Sequence, residues 1–139
     1  MPRPQNYANH PHRPYAWNVA WVSALVAAGV LVWSAYQEPS SQSLALVLLG
    51  IAVVIGVTLT RLFALRLQNR IIRLEMQLRL ARLGREQDVA RVSMSQLVAL
   101  RFASDAELAA LVDRAVNEQL TPDQIKRAVT DWQGDYLLT

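Results

Sequence analysis

Hydrophobic residues fall in two long uncharged runs in the first half of the chain, and further on they recur at helical spacing. Residues 17–36 carry no charged side chain, and neither do residues 44–60. Residues 62–65 extend the second run if Arg61 reaches back to the polar interface. At about 1.5 Å per residue, each run can cross about 30 Å of hydrocarbon. The pattern predicts a transmembrane hairpin over residues 15–65, with spans at about 17–36 and 44–63 and a tight connection containing Pro39.

The distribution of arginine predicts the orientation of the hairpin. Arg3 and Arg13 precede the first span, the connection has no Lys or Arg, and four arginines follow the second span: Arg61, Arg66, Arg70 and Arg73. Positive residues remain on the cytoplasmic side, so both termini are expected there. The first apolar run is longer than that of a cleaved signal peptide, so we expect the span to be retained.

Heptad spacing predicts that the second helix continues beyond the membrane. Leucine, isoleucine and alanine recur at steps of four, three, four and three at Leu67, Ile71, Leu74, Leu78 and Ala81. This seam continues a ridge of small residues in the second span, formed by Ala52, Gly56, Thr60 and Ala64. We expect one helix over about 44–83, roughly 60 Å long, with residues 66–84 as its cytoplasmic extension and Gly84 as its cap. The seam favours self-association as a coiled coil.

A second apolar stripe runs beside the seam, and a single solvated helix would not carry both. Its members are Leu65, Ile72, Met76, Leu80 and Leu83. We expect the C-terminal part of the chain to dock on this stripe. Small residues also recur in the first span, at Ala20, Ala24 and Ala28. Two interpretations remain open: the ridges of the two spans face each other within the hairpin, or one of them contacts another subunit.

The charge distribution separates two groups of arginines. Residues 1–85 carry a net charge of +7 and residues 86–139 a net charge of −4. Close to the membrane, Arg61, Arg66 and Arg70 are candidates for binding anionic lipid head groups. Farther along, Arg79, Arg82 and Arg85 are expected to pair with the acidic C-terminal half, with solvation or an Arg79–Glu75 pair along the helix as alternatives.

Three short helices with start signals are predicted after a linker at 85–94, forming a bundle over residues 95–139. Ser95 is the expected cap of the first, Ser104 and Glu107 form a capping box for the second, and Thr121 caps the third with Pro122 at its first position. In the third helix, an apolar stripe is expected at Ile125, Val129, Trp132 and Tyr136.

The sequence lacks the residue patterns of common catalytic and cofactor sites. It has no cysteine, and the two histidines, His10 and His12, have no evident third metal ligand. Phosphate loops, nucleophile elbows and metalloprotease motifs do not occur. Carboxylates outnumber the basic residues of the C-terminal half, which argues against nucleic-acid binding. We therefore expect no enzyme, no catalytic residue, no metal and no cofactor.

Polar and aromatic residues mark both ends of the chain, and both ends are expected on one side of the membrane. They are Asn6, Tyr7, Asn9 and His10 in the leader (residues 1–14), and Trp132, Asp135 and Tyr136 in the tail. We hypothesise that the leader meets the tail near the bundle.

Four segments resemble a known family along nearly the whole chain. They are residues 5–10, 70–80, 97–108 and 131–136. Together they resemble a family of small two-span bacterial membrane proteins catalogued only as a domain of unknown function. The resemblance implies a two-span layout with a helical tail in the bacterial inner membrane, and it implies no activity, cofactor or catalytic residue.

These observations predict an all-α membrane protein with a hairpin, a long protruding helix and a small bundle. The expected role is a non-enzymatic scaffold or an accessory subunit of a membrane complex, in contact with lipid and either homo-oligomeric or bound to other membrane proteins. The interface residues predicted for it are Ala52, Gly56, Leu67, Ile71, Leu74 and Leu78. The alternative is a homo-oligomeric pore lined by the second span.

Overall fold

The chain is all-helical in the part that the computed structural model describes, which comprises residues 6–7 and 15–134. These residues form five α-helices: α1 (Tyr15–Gln37), α2 (Ser41–Arg82), α3 (Met94–Leu100), α4 (Asp105–Asn117) and α5 (Pro122–Ala128). A 3₁₀ helix spans Glu86–Ala90. The described residues fall into two compact units: a hairpin unit of residues 15–66, and a bundle unit of residues 6–7 and 67–134. Helix α2 contributes residues to both.

The hairpin unit consists of α1 and the first part of α2. The connection is shorter than the sequence predicts because α2 already begins at Ser41. Ser40 and Ser43 hold its start: Ser40 Oγ accepts from the Ser43 backbone N–H at 3.0 Å, and Ser43 Oγ accepts from the Ser40 N–H at 2.8 Å. Both α1 and α2 are long and apolar enough to cross a membrane.

The two helices of the hairpin approach closely at Gly50, a position that the sequence did not single out. A Cβ added to Gly50 would lie 3.0 Å from Leu31 Cδ1 and 3.4 Å from Ala28 Cα. Ala24 and Ala28 of the first ridge are half-buried, whereas Ala52, Gly56 and Thr60 are exposed. The interpretation that the two ridges face each other within the hairpin is therefore wrong for the ridge on α2.

Helix α2 ends as the sequence predicts, at a glycine cap. Gly84 has a φ of +70°, a left-handed conformation that a Cβ would disfavour. The Arg85 N–H donates to the Leu80 carbonyl at 2.8 Å, and the Gly84 N–H donates to the Ala81 carbonyl at 2.9 Å. These two bonds form a Schellman motif, which satisfies carbonyls that the end of a helix leaves unpaired.

The bundle unit has a continuous core that includes the second stripe of α2. Ile72, Met76 and Leu80 are at most 3% exposed and belong to one apolar cluster with residues of all three short helices. The other fully enclosed large apolar side chains of the cluster are Leu97, Leu100, Leu108, Val112 and Ile125. The prediction that the C-terminal part docks on this stripe is confirmed for these three α2 residues, while Leu83 remains exposed.

The predicted linker at 85–94 is instead part of the packed structure. Its residues form the 3₁₀ helix, and Asp88, Val89 and Val92 are buried. The cap of α3 is also Ser93 rather than Ser95: Ser93 accepts from the Gln96 backbone N–H, and the Gln96 side chain bonds the Ser93 N–H in return. The bundle therefore begins immediately after Gly84, because the apolar side chains of this segment complete the core.

Helix α4 begins at the predicted position but without the predicted capping box. Ser104 is the N-cap residue, yet its side chain makes no capping bond. The Glu107 carboxylate instead accepts from the Thr130 hydroxyl and from the backbone N–H groups of Thr130 and Asp131. This carboxylate therefore ties the start of α4 to the segment that follows α5.

Helix α5 has the predicted start and an earlier end than expected. Thr121 and Gln124 form the capping box, with Pro122 in the first turn. The helix stops at Ala128 because Val129 adopts an extended conformation. The expected stripe is therefore wrong at Trp132, which lies outside the helix in an isolated bridge to Ala103. Val129 still packs against the core, and Tyr136 lies outside the described residues.

Candidate partner interface

The seam on α2 is exposed to solvent in the bundle unit. Leu67, Ile71, Leu74 and Leu78 are 59%, 56%, 53% and 63% exposed. Large apolar side chains on the same helix are almost completely buried one residue away, as at Ile72. The seam is therefore a row of apolar residues that the described part of the chain leaves exposed.

The bundle packs on the side of α2 opposite to the seam, so the expectation that the second stripe runs beside the seam is wrong. At 3.6 residues per turn, the mean direction of the four seam residues lies about 170° around the helix from that of Ile72, Met76 and Leu80. Those three residues meet the bundle core, and the four seam residues do not. A partner could therefore lie along the seam without displacing the bundle.

Two charged residues of opposite sign flank the seam, Arg70 and Glu75. Both are exposed, and neither makes an ion pair with any residue in the described part of the chain. Glu75 is the only acidic residue in α2. Sequence reasoning included Arg70 only as a lipid contact, although its heptad position next to the seam was readable.

The arginine that could have neutralised Glu75 along the helix is held by the bundle. Arg79 forms an ion pair with Asp105 at 2.7 Å. It also donates to the backbone carbonyls of Arg101 at 3.0 Å and Ala103 at 2.6 Å. These acceptors fix the side chain over the end of α3. The expectation that Arg79 pairs with the C-terminal half is confirmed, and the Arg79–Glu75 alternative is wrong.

Arg85 confirms the same expectation just after α2, whereas Arg82 is exposed and makes no ion pair with the described residues. Arg85 bonds Asp88, which is buried, and both carboxylate oxygens of Asp113 on α4. Arg91 donates to the other oxygen of Asp88 at 2.9 Å. The bonds to Asp113 and Asp88 raise the pKa of Arg85 above its ordinary value, and the Arg85 bond lowers the pKa of Asp113. The network holds the turn after α2 against α4.

Within the hairpin unit, the predicted interface and lipid residues lie as follows. Ala52 and Gly56 are exposed on α2, and a Cβ on Gly56 would meet no atom within 4 Å. The Arg61 guanidinium lies over the Trp17 ring at 5.7 Å, and that of Arg66 over the Phe63 ring at 5.8 Å. Lipid binding by Arg61, Arg66 and Arg70 stays a prediction.

Tryptophan side chains join the two helices of the hairpin by hydrogen bonds. Trp17 Nε1 donates to the Val57 carbonyl at 3.2 Å, and Trp21 Nε1 donates to Thr58 Oγ1 at 3.0 Å. Thr58 in turn donates to the Val54 carbonyl at 2.8 Å. The two rings stack with their centroids 6.1 Å apart. Each indole N–H thus has a partner inside an apolar unit, where an unpaired donor would be costly.

The leader contacts the bundle through Tyr7. The Tyr7 hydroxyl donates to Asp123 at 2.6 Å and accepts from Arg127 Nε at 3.0 Å, and the Arg127 guanidinium lies 5.2 Å from the ring centroid. The Tyr7 bond and the charges of Arg127 and Lys126 lower the pKa of Asp123. Tyr7 thus brings the leader to α5 of the bundle, whereas the hypothesis that the leader meets the tail stays a prediction. Asn9, His10, His12, Asp135 and Tyr136 lie outside the described residues.

A groove of about 440 Å³ opens in the bundle unit between α2, α3 and α5. It is lined by Asn69, Met94, Ser95, Val98, Pro122 and Lys126. Burial and the charge of Arg101 lower the pKa of Lys126. The ammonium group of Lys126 also lies 5.7 Å from the ring centroid of Phe102, which stacks on Trp132 at 4.8 Å. Within the described ranges, no three His, Asp or Glu side chains are grouped so that they could hold a metal ion.

Comparison with known proteins identifies a family for the chain. No curated protein and no solved structure matches it significantly. One family model matches residues 1–137 and therefore covers nearly all of the sequence. The chain belongs to this family, which is described as a family of unknown function (DUF6526).

Proposed function

We propose that this protein is a non-enzymatic membrane scaffold, or an accessory subunit of a membrane complex, that self-associates through α2. The observation that supports the proposal is the exposure of Leu67, Ile71, Leu74 and Leu78 on a helix whose other side is packed. Full burial of one such side chain is worth about 1.5–3 kcal/mol. Covering the seam would therefore contribute substantially to the free energy of binding a partner. A second copy of the chain always carries a matching seam.

The proposed setting is the bacterial inner membrane, with α1 and the first part of α2 as its two spans. In each apolar window only 6% of the residues are buried within the chain. A core helix of a soluble protein with this composition would be mostly covered by its own chain. Lipid hydrocarbon would solvate the exposed side chains, and Arg61 and Arg66, each over an aromatic ring, would lie at the interface with anionic head groups.

The membrane placement can be tested by labelling single cysteines, because the chain has none of its own. Gln42→Cys lies in the first turn of α2, and Ser95→Cys lies in α3; both positions are exposed. A membrane-impermeant maleimide should label Gln42→Cys in intact cells with a permeabilised outer membrane. Ser95→Cys should react only after the inner membrane is opened. The reverse pattern, or equal labelling, would contradict the proposed orientation.

The function itself is tested by purifying the full-length protein from its native membrane in mild detergent and measuring the mass of the intact complex. A closed homo-oligomer that Leu74→Lys dissociates would support a self-assembling scaffold. Gln87→Lys, at an exposed position in the 3₁₀ helix, is the control for the added charge. Stoichiometric recovery of a different membrane protein would support an accessory subunit. A monomer without partners would refute the proposal, and ion conductance of the oligomer in liposomes would favour a pore instead.

A further inference from the structure

We infer that two copies of this chain pair through their α2 helices as a parallel, in-register, two-stranded coiled coil locked by Arg70–Glu75 ion pairs. The inference rests on the proposed function and specifies its stoichiometry, its direction and its register. It follows from three features of the bundle unit: the heptad positions of the seam residues, the exposed charges beside the seam, and the position of the bundle.

The heptad assignment favours two strands. The steps of four, three and four from Leu67 to Leu78 place Ile71 and Leu78 at position a, and Leu67 and Leu74 at position d. Leucine at d with a β-branched residue at a favours parallel dimers over trimers and tetramers. Leu67 and Leu74 supply leucine at d, and Ile71 supplies the β-branched residue at a. Leu78 at a and Ala81 at d continue the seam. The apolar seam alone does not determine which partner binds it. The flanking charges favour a second copy of this chain.

The flanking charges are complementary only between parallel copies. Arg70 occupies position g and Glu75 the following position e, five residues later. In a parallel, in-register pair, a g residue faces the next e residue of the other strand. Arg70 of each copy then meets Glu75 of the other, which gives two symmetric ion pairs. In an antiparallel pair, g faces g and e faces e, so that Arg70 and Glu75 would not meet.

Both charged side chains are available for this contact. Each is exposed and has no ion-pair partner in the described part of the chain. Arg79, four residues after Glu75, is committed to Asp105 and two backbone carbonyls. Because the bundle holds Arg79, this arginine does not pair with Glu75. In the proposed dimer, Arg70 of the second copy is the positive charge that pairs with Glu75. The bundle covers the opposite side of the helix and leaves positions a, d, e and g open.

Charge exchange in the full-length protein tests the pairing. Arg70→Glu alone places a carboxylate at position g against Glu75 of the other copy, and Glu75→Arg alone places a guanidinium at position e against Arg70. Each change should raise the dissociation constant of the homodimer about tenfold in mild detergent at low salt.

Coexpression of the two single variants with different tags should restore the pairing. The carboxylate introduced at position g of one copy then faces the guanidinium introduced at position e of the other, while the unchanged Arg70 and Glu75 still meet. Heterodimers should therefore form with near wild-type affinity. The double variant R70E/E75R should also regain the homodimer.

Arg73→Glu serves as the matched control, because it makes the same charge change at an exposed position off the seam. It should leave the dissociation constant within about twofold of wild type. A second measurement uses Leu74→Cys as the only thiol in the chain. In-register d positions should allow it to oxidise to a disulfide-linked dimer in the membrane, whereas Arg73→Cys should not.

The possible outcomes separate this inference from the proposed function. A wild-type dimer with weakened single variants and preferred heterodimers supports the pairing. An oligomer of three or more copies overturns the two-stranded arrangement and leaves self-association intact. If Arg70→Glu weakened the dimer and Glu75→Arg did not restore it, Arg70 would be assigned to anionic lipid and the ion pair would be overturned. A wild-type monomer would refute the inference, and recovery of a different membrane protein with that monomer would leave the accessory-subunit form of the proposed function standing.

Discussion

The hairpin unit and the bundle unit use similar apolar residues in opposite environments. Helix α1 has no buried residue, and valines such as Val19 and Val30 are both more than half exposed. In the bundle unit, Met76, Leu108 and Ile125 are completely enclosed. The difference lies in the pattern: the hairpin runs are apolar all round, whereas polar residues interrupt the bundle helices and confine their apolar side chains to one face. The apolar side chains of the hairpin unit are therefore largely uncovered, whereas those of the bundle unit form a core.

Helix α2 extends the comparison to a single element. Between residues 67 and 82 it carries charged residues, a buried stripe at Ile72, Met76 and Leu80, and an exposed seam. Charged residues lie between the members of the seam, whereas residues 44–60 of the same helix carry no charge. Exposed apolar residues therefore occur in two settings in this chain: in long uncharged runs in the hairpin unit, and in a narrow row between charged residues in the seam.

The largest expected effect separates the two faces of α2. Leu80→Ala removes a fully buried side chain and should lower the free energy of unfolding of the bundle unit by about 2–5 kcal/mol. Leu78→Ala makes the same change at a position that is 63% exposed and should leave that energy nearly unchanged. Hydrogen exchange of the α3–α5 amides in the full-length protein would measure both.

The same pair of variants should behave in the opposite way when the oligomer is measured. Leu78→Ala should raise the dissociation constant of the complex, and a variant with Leu80→Ala should dissociate only where the bundle has also opened. Equal losses of bundle stability for both variants would mean that the seam is part of the bundle core in solution, and the contrast between the two faces would be wrong.

A second prediction concerns the close approach in the hairpin unit. Gly50→Val would force side-chain atoms against Leu31 and Ala28 and should destabilise the hairpin by about 1–3 kcal/mol. Gly56→Val is the control, because nothing in the chain lies within 4 Å of its Cβ position. The indole N–H resonance of Trp21, bonded to Thr58, would report hairpin opening in a detergent titration. If Gly56→Val were equally disruptive, the small-residue ridge would face α1 after all.

The sequence was sufficient to predict features that depend on short-range patterns. The end of α2 at Gly84, the Thr121 capping box and the burial of Ile72, Met76 and Leu80 all follow from residues within one or two turns. The resemblance to a family of unknown function was also confirmed. In each structural case, one local arrangement satisfies the backbone or the apolar face.

Features that depend on distant residues were not predictable in this way. Asp88 is buried because Arg85 and Arg91 converge on it, and a run of polar residues gives no sign of that. Glu107 follows Ser104 at the spacing of a capping box but bonds Thr130 instead. In the hairpin unit, small residues lie on several sides of α2, so that periodicity could not identify Gly50 rather than Gly56 as the contact with α1.

The third prediction is a pH dependence that separates the bundle unit from the hairpin unit. Burial acts to raise the pKa of Glu107, but the hydrogen bonds from Thr130 and Asp131 outweigh it and place the pKa below the ordinary 4.5. The stabilisation is therefore complete above pH 4.5 and is lost as the pH falls through the lower folded-state value. Glu107→Gln should lower the free energy of unfolding of the bundle unit by about 1 kcal/mol at neutral pH. It should also make that free energy depend less on pH in the acid range.

Denaturant titrations from about pH 3 to neutral pH would measure this slope, with exposed Glu86→Gln as the control. The hairpin should unfold with nearly the same midpoint across that range, because its one carboxylate, Glu38 in the connection, is exposed and makes no ion pair with the described residues. An unchanged acid limb in Glu107→Gln would show that the carboxylate does not hold the segment after α5 in solution.

The smallest expected effect tests whether the leader belongs to the bundle unit. The Tyr7 hydroxyl is the foremost influence that lowers the pKa of Asp123, ahead of the charge of Arg127. Tyr7→Phe keeps the ring under the Arg127 guanidinium and removes only the hydroxyl. The pKa of Asp123 should then rise toward its ordinary 3.8 while remaining below it, because Arg127 still pairs with the carboxylate at 2.9 Å. Carboxyl NMR titration of the full-length protein would measure the shift. Tyr36→Phe at the far end of α1 is the control. If Tyr7→Phe left the pKa of Asp123 unchanged, the leader would be undocked in solution and the bundle unit would begin only with α2.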